Sequence, residues 1–277
     1  MTREAALSDA CYPRYVISEN CWQSLQRWFQ TPLGAALLAE EQRQLTPLLS
    51  NLFGYHLLQV GELAAVDLLA ASRVRNPMIM RSAVSWHPPI GRETATLIGS
   101  ERALPIASDT LDLLLLPHTL DYTLTPHQLL REAERVLIPE GRLILIGFNP
   151  VSLWGGAKLL LGWRRHPAPW ACRFLSAGTL RDWLALLGFE VIYHDSFFFR
   201  PPWQPARWLQ PLTWCERLGE AWHRGGAVYL LVARKRVATL TPIRPRWRPR
   251  RALLADRLVK PTFTPRRQRG ASDGRCG

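Results

Sequence analysis

The chain of 277 residues is 47% hydrophobic, enough to bury a core in one domain with additions or in two small ones, and it carries a formal net charge of +13. Eleven Arg or Lys against two Asp lie between Val237 and Gly277, so nine of those charges belong to a tail and the body before it is only mildly basic. The five cysteines (Cys11, Cys21, Cys172, Cys215 and Cys276) are odd in number, far apart and in no C-x-x-C pair, which argues against a disulfide framework or a zinc site and for reduced thiols.

The opening MTREAALSDACYPRY lacks the basic start, apolar core and cleavage site of a signal peptide, and no stretch reaches the length of a membrane span. A cytoplasmic protein is expected. Residues 1–50 read as a helical segment. Trp22, Leu25, Trp28 and Phe29 repeat at helical spacing, and Thr31-Pro32 begins a second helix. YHLLQVGEL reads as the first strand and its turn, followed by Gly61-Glu62-Leu63-Ala64-Ala65. A helix from Ala64 to Ser72 and a second strand from Met78 to Ser85 are expected next. No Asp or Glu stands between Asp67 and Glu93.

The stretch from Leu104 to Pro150 organises the rest. LDLLLLP is a short apolar run of the kind buried on both faces of a parallel sheet. Thr125-Pro126 starts a helix, with Thr125 as cap and Gln128 at the capping-box position. Leu129, Leu130, Ala133, Val136 and Leu137 fall on one face of it. Pro139-Glu140-Gly141 makes a turn and RLILIGF is the next buried strand, completing a right-handed βαβ unit.

Residues 151–175 then interrupt the pattern. Trp154, Leu159, Leu160, Leu161 and Trp163 followed by Arg164-Arg165 suggest an apolar, basic-ended helix, read either as a substrate lid or as a membrane-surface contact. Ser176 caps a helix that Gly188 ends, and FEVIYHDSFFF is a strand. Residues 200–223, rich in Trp, Pro and Arg, read as a small apolar cap or as a base-stacking surface. AVYLLVA is the final strand, and 237–277 should be a disordered basic tail that attracts acidic partners.

The order "Leu-Pro, Asp-rich apolar strand, Pro-His-Thr-Leu-Asp, helix ending in R-E-A-E-R-V-L, P-E-G-R-L, strand" resembles the class I S-adenosylmethionine-dependent methyltransferases, closest to the type 11 group. The resemblance spans roughly 51–236. It implies a Rossmann-like α/β fold, a seven-stranded, mostly parallel sheet with its last strand antiparallel, plus the N-terminal helices and the basic tail. In that family the first strand is followed by a glycine-rich loop that lets the backbone approach the cofactor. Here one glycine, Gly61, stands in the loop, and Gln59 stands where the family often has an acid. The family also ends its second strand with an acid for the ribose hydroxyls, a place for which Ser85 or His87 are the sequence's substitutes.

The resemblance assigns cofactor contacts to Gly61, Glu62, Ser100, Glu101, Leu104 and Pro117, with Glu62 facing the methionine ammonium group and Ser100 and Glu101 the adenine. His118, Asp121 and Asn149 fall at the carboxyl ends of strands, where ligands bind in open α/β sheets. His118 is a candidate proton acceptor or a structural strand cap. Asn149 is a pocket-lining or plain turn residue. No metal is implied. The expected function is transfer of a methyl group from S-adenosylmethionine to an acceptor the sequence leaves open. The alternative is a non-catalytic relative that serves as a binding module, for nucleic acid through its tail. A nicotinamide-dependent enzyme fits worse, because G-x-G-x-x-G and the acid about twenty residues later are both missing.

Overall fold

The computed structural model describes residues 12–62, 66–81, 94–160, 169–202 and 225–236, with side chains from Cys21 onward. All of these fall within one unit, Met1–Ala238. Seven strands, β1 (His56–Val60), β2 (Asn76–Arg81), β3 (Ala95–Ile98), β4 (Leu111–Pro117), β5 (Leu137–Phe148), β6 (Phe189–Phe197) and β7 (Val228–Lys235), form one sheet in the order β3-β2-β1-β4-β5-β7-β6. Neighbours are parallel from β3 through β5, and β7 runs antiparallel to both β5 and β6. The helices are α1 (Tyr12–Phe29), α2 (Pro32–Ser50), α3 (Thr119–Tyr122), α4 (Pro126–Val136), α5 (Leu153–Leu160) and α6 (Ala177–Leu186).

The apolar runs explain the layering. Successive strand residues face opposite sides, so Leu57, Leu113, Leu115, Ile144 and Ile146 enter one core with Leu25, Phe29, Leu37 and Leu45 of α1 and α2. Leu58, Leu114, Leu116, Leu143 and Leu145 enter a second core with Leu129, Ala133, Leu180 and Leu184 of α4 and α6. A sheet covered on both faces is what a strand such as LDLLLLP requires. Its single acid, Asp112, accepts hydrogen bonds from the Tyr55 and His56 amides and so fixes the entry to β1.

Several local expectations hold. Thr31 caps α2 through the Gly34 amide, Ser176 caps α6 through the Thr179 amide, and Gly188 follows α6 at φ +79°. Others need correction. Thr125 makes no side-chain cap bond, because the Gln128 and Leu129 amides both donate to its backbone carbonyl. Gln128 closes no capping box and donates its side-chain amide to the Arg102 carbonyl. Strand β5 begins at Leu137 and absorbs Pro139-Glu140-Gly141 as an irregularity, with Glu140 at φ +65°. Between β1 and β2, the described part of the expected helix is a turn over 68–71, where Asp67 takes the Leu69 amide in an Asx-type bond. The expectations for Ser85, His87, residues 203–223 of the cap read at 200–223, and the tail at 237–277 lie outside the described residues. Among the described residues no helix is long and apolar enough to cross a membrane.

The R-E-A-E-R-V-L motif has a mechanical reason. Glu132 accepts the Leu104 amide at 2.9 Å, and Arg135 donates to the Leu104 and Ile106 carbonyls while ion-pairing Glu132. The pair clamps the loop that carries Ser100 and Glu101 onto α4. Arg135→Ala should lower stability by about 1–3 kcal/mol, read as a lower urea midpoint, because charged hydrogen bonds to two carbonyls are lost. A change under half of that would remove the clamp from this account.

Candidate active site

All parallel strands end at one edge of the sheet, and the residues picked out by sequence gather there. Gly61 follows β1 at φ +86°, Arg81 ends β2, Ser100-Glu101 follows β3, His118 follows β4 and Asn149 follows β5. The Gly61 amide donates to the Met80 carbonyl, which sets the ends of β1 and β2 side by side. A Cβ at Gly61 would lie 2.8 Å from the Tyr122 hydroxyl and 3.5 Å from the Trp22 ring. Trp22 of α1 packs on Tyr122 with ring centroids 4.7 Å apart.

Glu62 and Arg81 form a close two-point ion pair, with Nε–Oε2 at 2.7 Å and Nη2–Oε1 at 2.8 Å. Arg81 is nearly buried and Glu62 partly so. The last residue of β2 is therefore a base, and the carboxylate at this corner comes from the β1 turn instead. Gln59 is buried, donates to the Gly61 carbonyl, and among the described residues its Oε1 has no hydrogen-bond partner.

The Glu101 carboxyl reaches the Tyr122 hydroxyl and Thr123, and burial pushes it up. Burial and then the Glu101 charge push the Tyr122 phenol well above its ordinary value, so it stays a neutral donor. Thr119 donates to the Val60 carbonyl. Tyr122 thus stands between Gly61 and Glu101, two of the residues assigned to the cofactor. Ser100 takes the Arg102 amide in its loop, Leu104 is buried against α4, and Pro117 is the buried last residue of β4.

His118 sits deeper than a rim residue. It adopts the left-handed conformation at φ +53° and is fully buried. Its Nδ1 lies 2.8 Å from Asp121 Oδ2 and its Nε2 2.8 Å from Glu41 Oε1, with both carboxylates also buried. Asp121 Oδ2 further accepts the Phe148 amide. Burial alone would lower the His118 pKa, but the Glu41 charge and the bonds from both carboxylates raise it to about 9. Burial raises the Asp121 carboxyl, with His118 pulling it back. In this arrangement the imidazole carries a proton on each nitrogen and joins α2 to the ends of β4 and β5. Among the described residues Glu41 Oε2 and Asp121 Oδ1 have no hydrogen-bond partner.

Sequence reasoning missed Glu41. Its signal is positional: Leu33, Leu37, Glu41, Leu45 and Leu49 form one buried stripe of α2 at four-residue spacing, with a carboxylate in its middle. Such a group needs a buried partner. Asn149 uses both ends of its amide in a turn, donating to the Gly226 carbonyl and accepting the Val151 amide. Among the described residues no cluster of His, Cys, Asp and Glu is arranged to hold a metal ion.

Comparison with known proteins follows this geometry. The methyltransferase-domain family matches residues 64–145, a span that begins just after the Gly61 turn. The uncharacterized protein YafS of Escherichia coli is 34% identical over 235 residues, covering 85% of this chain and 88% of YafS. An S-adenosylmethionine-dependent methyltransferase of Thermotoga maritima superposes with a TM-score of 0.51 at 16% identity, over 78% of this chain and 100% of that one. A chain from Haloferax volcanii, solved in complex with a methyltransferase activator, gives 0.54 at 16% identity over 78% and 98%. The structural likenesses speak for the fold.

Proposed function

We propose that this chain, which belongs to one family with YafS, carries a methyltransferase-domain match and has the class I methyltransferase fold, binds S-adenosylmethionine across the ends of β1, β2 and β4. The observation that carries this reading is the Glu62–Arg81 pair at the corner where β1 and β2 end. A carboxylate there can accept ribose hydroxyls, and Arg81 holds it in place. Glu62 takes the role that the family gives to an acid at the end of β2.

The residues fit the cofactor's chemistry. Gly61 has the left-handed backbone of a cradle. The buried Gln59 Oε1 is an acceptor without a partner among the described residues, suited to an ammonium or hydroxyl donor. Glu101 and Ser100 lie on the next loop for the adenine. The cofactor supplies a methyl group on sulfonium, and the protein's part is to orient the reactants and exclude water. His118, Asp121 and Asn149 act as positioning residues: the first two hold the loop after β4 and the third holds the turn after β5. The acceptor is open, and the site works in the cytoplasm.

Titration calorimetry of the full chain with S-adenosylmethionine and S-adenosylhomocysteine tests this. Micromolar binding is expected, and Glu62→Ala should weaken it by about 10- to 100-fold, the value of one charged hydrogen-bond set. Absence of binding by either compound at millimolar concentration would overturn the reading. The close packing of Trp22 and Tyr122 on Gly61 would then belong to a non-catalytic binding module, with nucleic acid on the basic tail as the next ligand to assay.

A further inference from the structure

Cys21 and Cys172 are 151 residues apart in sequence, yet their Sγ atoms lie 3.1 Å from each other. Neither is in a disulfide. Cys21 belongs to α1 and is half-buried, while Cys172 is buried in the segment that leads to α6. We propose that this thiol pair is an oxidative modification site, which closes to a disulfide under peroxide and pins α1 across the loop end of the sheet.

Three features of the surroundings support it. Cys172 is held from both sides: its amide donates to the Pro169 carbonyl, its carbonyl takes the Lys158 ammonium, and the next amide, Arg173, donates to Asp121. One thiol is therefore fixed in place, and a standard disulfide of ~2.05 Å requires the other to move in by about 1 Å. Second, the pair is chemically unequal. The hydrogen bond from Cys172 lowers the Cys21 pKa, whereas that bond and burial push Cys172 well up. The more acidic thiol is also the more accessible one, the arrangement of a sulfur that reacts first beside one that resolves. Third, the Lys158 ammonium favours the anionic form of both.

The Cys21 thiolate attacks one oxygen of hydrogen peroxide, the O–O bond breaks, and hydroxide leaves to be protonated to water. Cys21 is then a sulfenic acid. The Cys172 sulfur attacks the Cys21 sulfur, the S–O bond breaks, and the Cys172 proton leaves with that oxygen as a second water. Two thiols are oxidised by one peroxide, and thiol exchange restores them.

The bond has a structural consequence because Cys21 precedes Trp22, the residue that covers Tyr122 and Gly61. Oxidation fixes that cover. The effect on cofactor entry rests on the methyltransferase reading, whereas bond formation does not.

Peptide mapping of the full chain without reduction, after hydrogen peroxide treatment, tests the bond. A Cys21–Cys172 cross-linked peptide is expected, removable by dithiothreitol and missing in Cys21→Ser. Recovery of the two cysteines in separate peptides would overturn the proposal. Hydrogen exchange gives a second readout: amides of α1 should exchange about tenfold more slowly in the oxidised chain, as expected for suppressed local opening. Unchanged α1 exchange in a chain that carries the bond would remove the pinning. S-adenosylhomocysteine should associate more slowly with the oxidised form. Lack of binding in both redox forms counts against the methyltransferase reading and leaves the cross-link judged by the map and the exchange.

Discussion

Replacing His118 by asparagine should cost the folded chain about 3–5 kcal/mol, the usual penalty for removing one member of a buried ionic cluster. Asparagine is the informative choice because it tolerates the left-handed backbone found at this position. The loss then reports on charge rather than on strain. Without the imidazolium, the Glu41 and Asp121 carboxylates face a buried site with no cation between them. Burial already raises the Asp121 carboxyl, and in the variant it loses the imidazolium that pulls it back.

The native chain should behave differently. The His118 pKa is about 9 when folded and ordinarily about 6.5 when unfolded. A group whose pKa is raised by folding stabilises fully below its unfolded value and loses that contribution as pH rises through the folded one. The native chain should therefore lose on the order of 3 kcal/mol between about pH 6.5 and 9, and the part of that slope above pH 7.5 should be missing from His118→Asn. Urea denaturation at pH 6, 7.5 and 9 measures both. Parallel profiles for the two proteins between pH 7.5 and 9 would show that His118 is neutral in the fold.

This cluster also marks where the sequence stopped being readable. The βαβ unit was legible because it rests on local signals: an unbroken apolar run, a helical stripe and a motif with charged residues at fixed spacing. The same holds for the last strand, a clean apolar run in AVYLLVA, whose antiparallel direction the resemblance implied. Glu41 is different. Nothing near it in sequence says that its partner is His118, 77 residues away; the stripe signals a buried carboxylate, and only the fold supplies the imidazole. The Glu62–Arg81 exchange was hidden for a related reason. The sequence showed that no acid closes β2, but which base stands at its end depends on where the strand stops, and strand ends follow pairing rather than composition. Cys21 and Cys172 were likewise read as separate thiols because only tertiary packing brings them together.

Gly61→Ala should reduce binding of S-adenosylhomocysteine by about 100-fold, roughly 2.7 kcal/mol. Two separable causes contribute. At φ +86° an L side chain is strained by about 1–2 kcal/mol. The added Cβ also meets the Tyr122 hydroxyl at 2.8 Å, and Tyr122 is boxed in by Trp22 and Glu101, so it cannot yield without moving α1 or the adenine loop. Tyr122→Phe removes the obstructing oxygen and leaves the backbone strain. Added to Gly61→Ala, it should therefore recover about tenfold of the lost affinity, and the remaining tenfold or so is conformational. Gly156→Ala provides the contrast, since a Cβ there meets nothing within 4 Å and the residue lies in α5; it should leave binding unchanged and stabilise α5 by about 0.5–1 kcal/mol. Calorimetry on the four proteins separates the outcomes. If Gly61→Ala binds within threefold of the native chain, the turn after β1 is no cradle, and Glu62 loses its reason for standing there. If the double variant recovers nothing, Tyr122 is not what limits the space at Gly61, and the backbone conformation alone carries the effect.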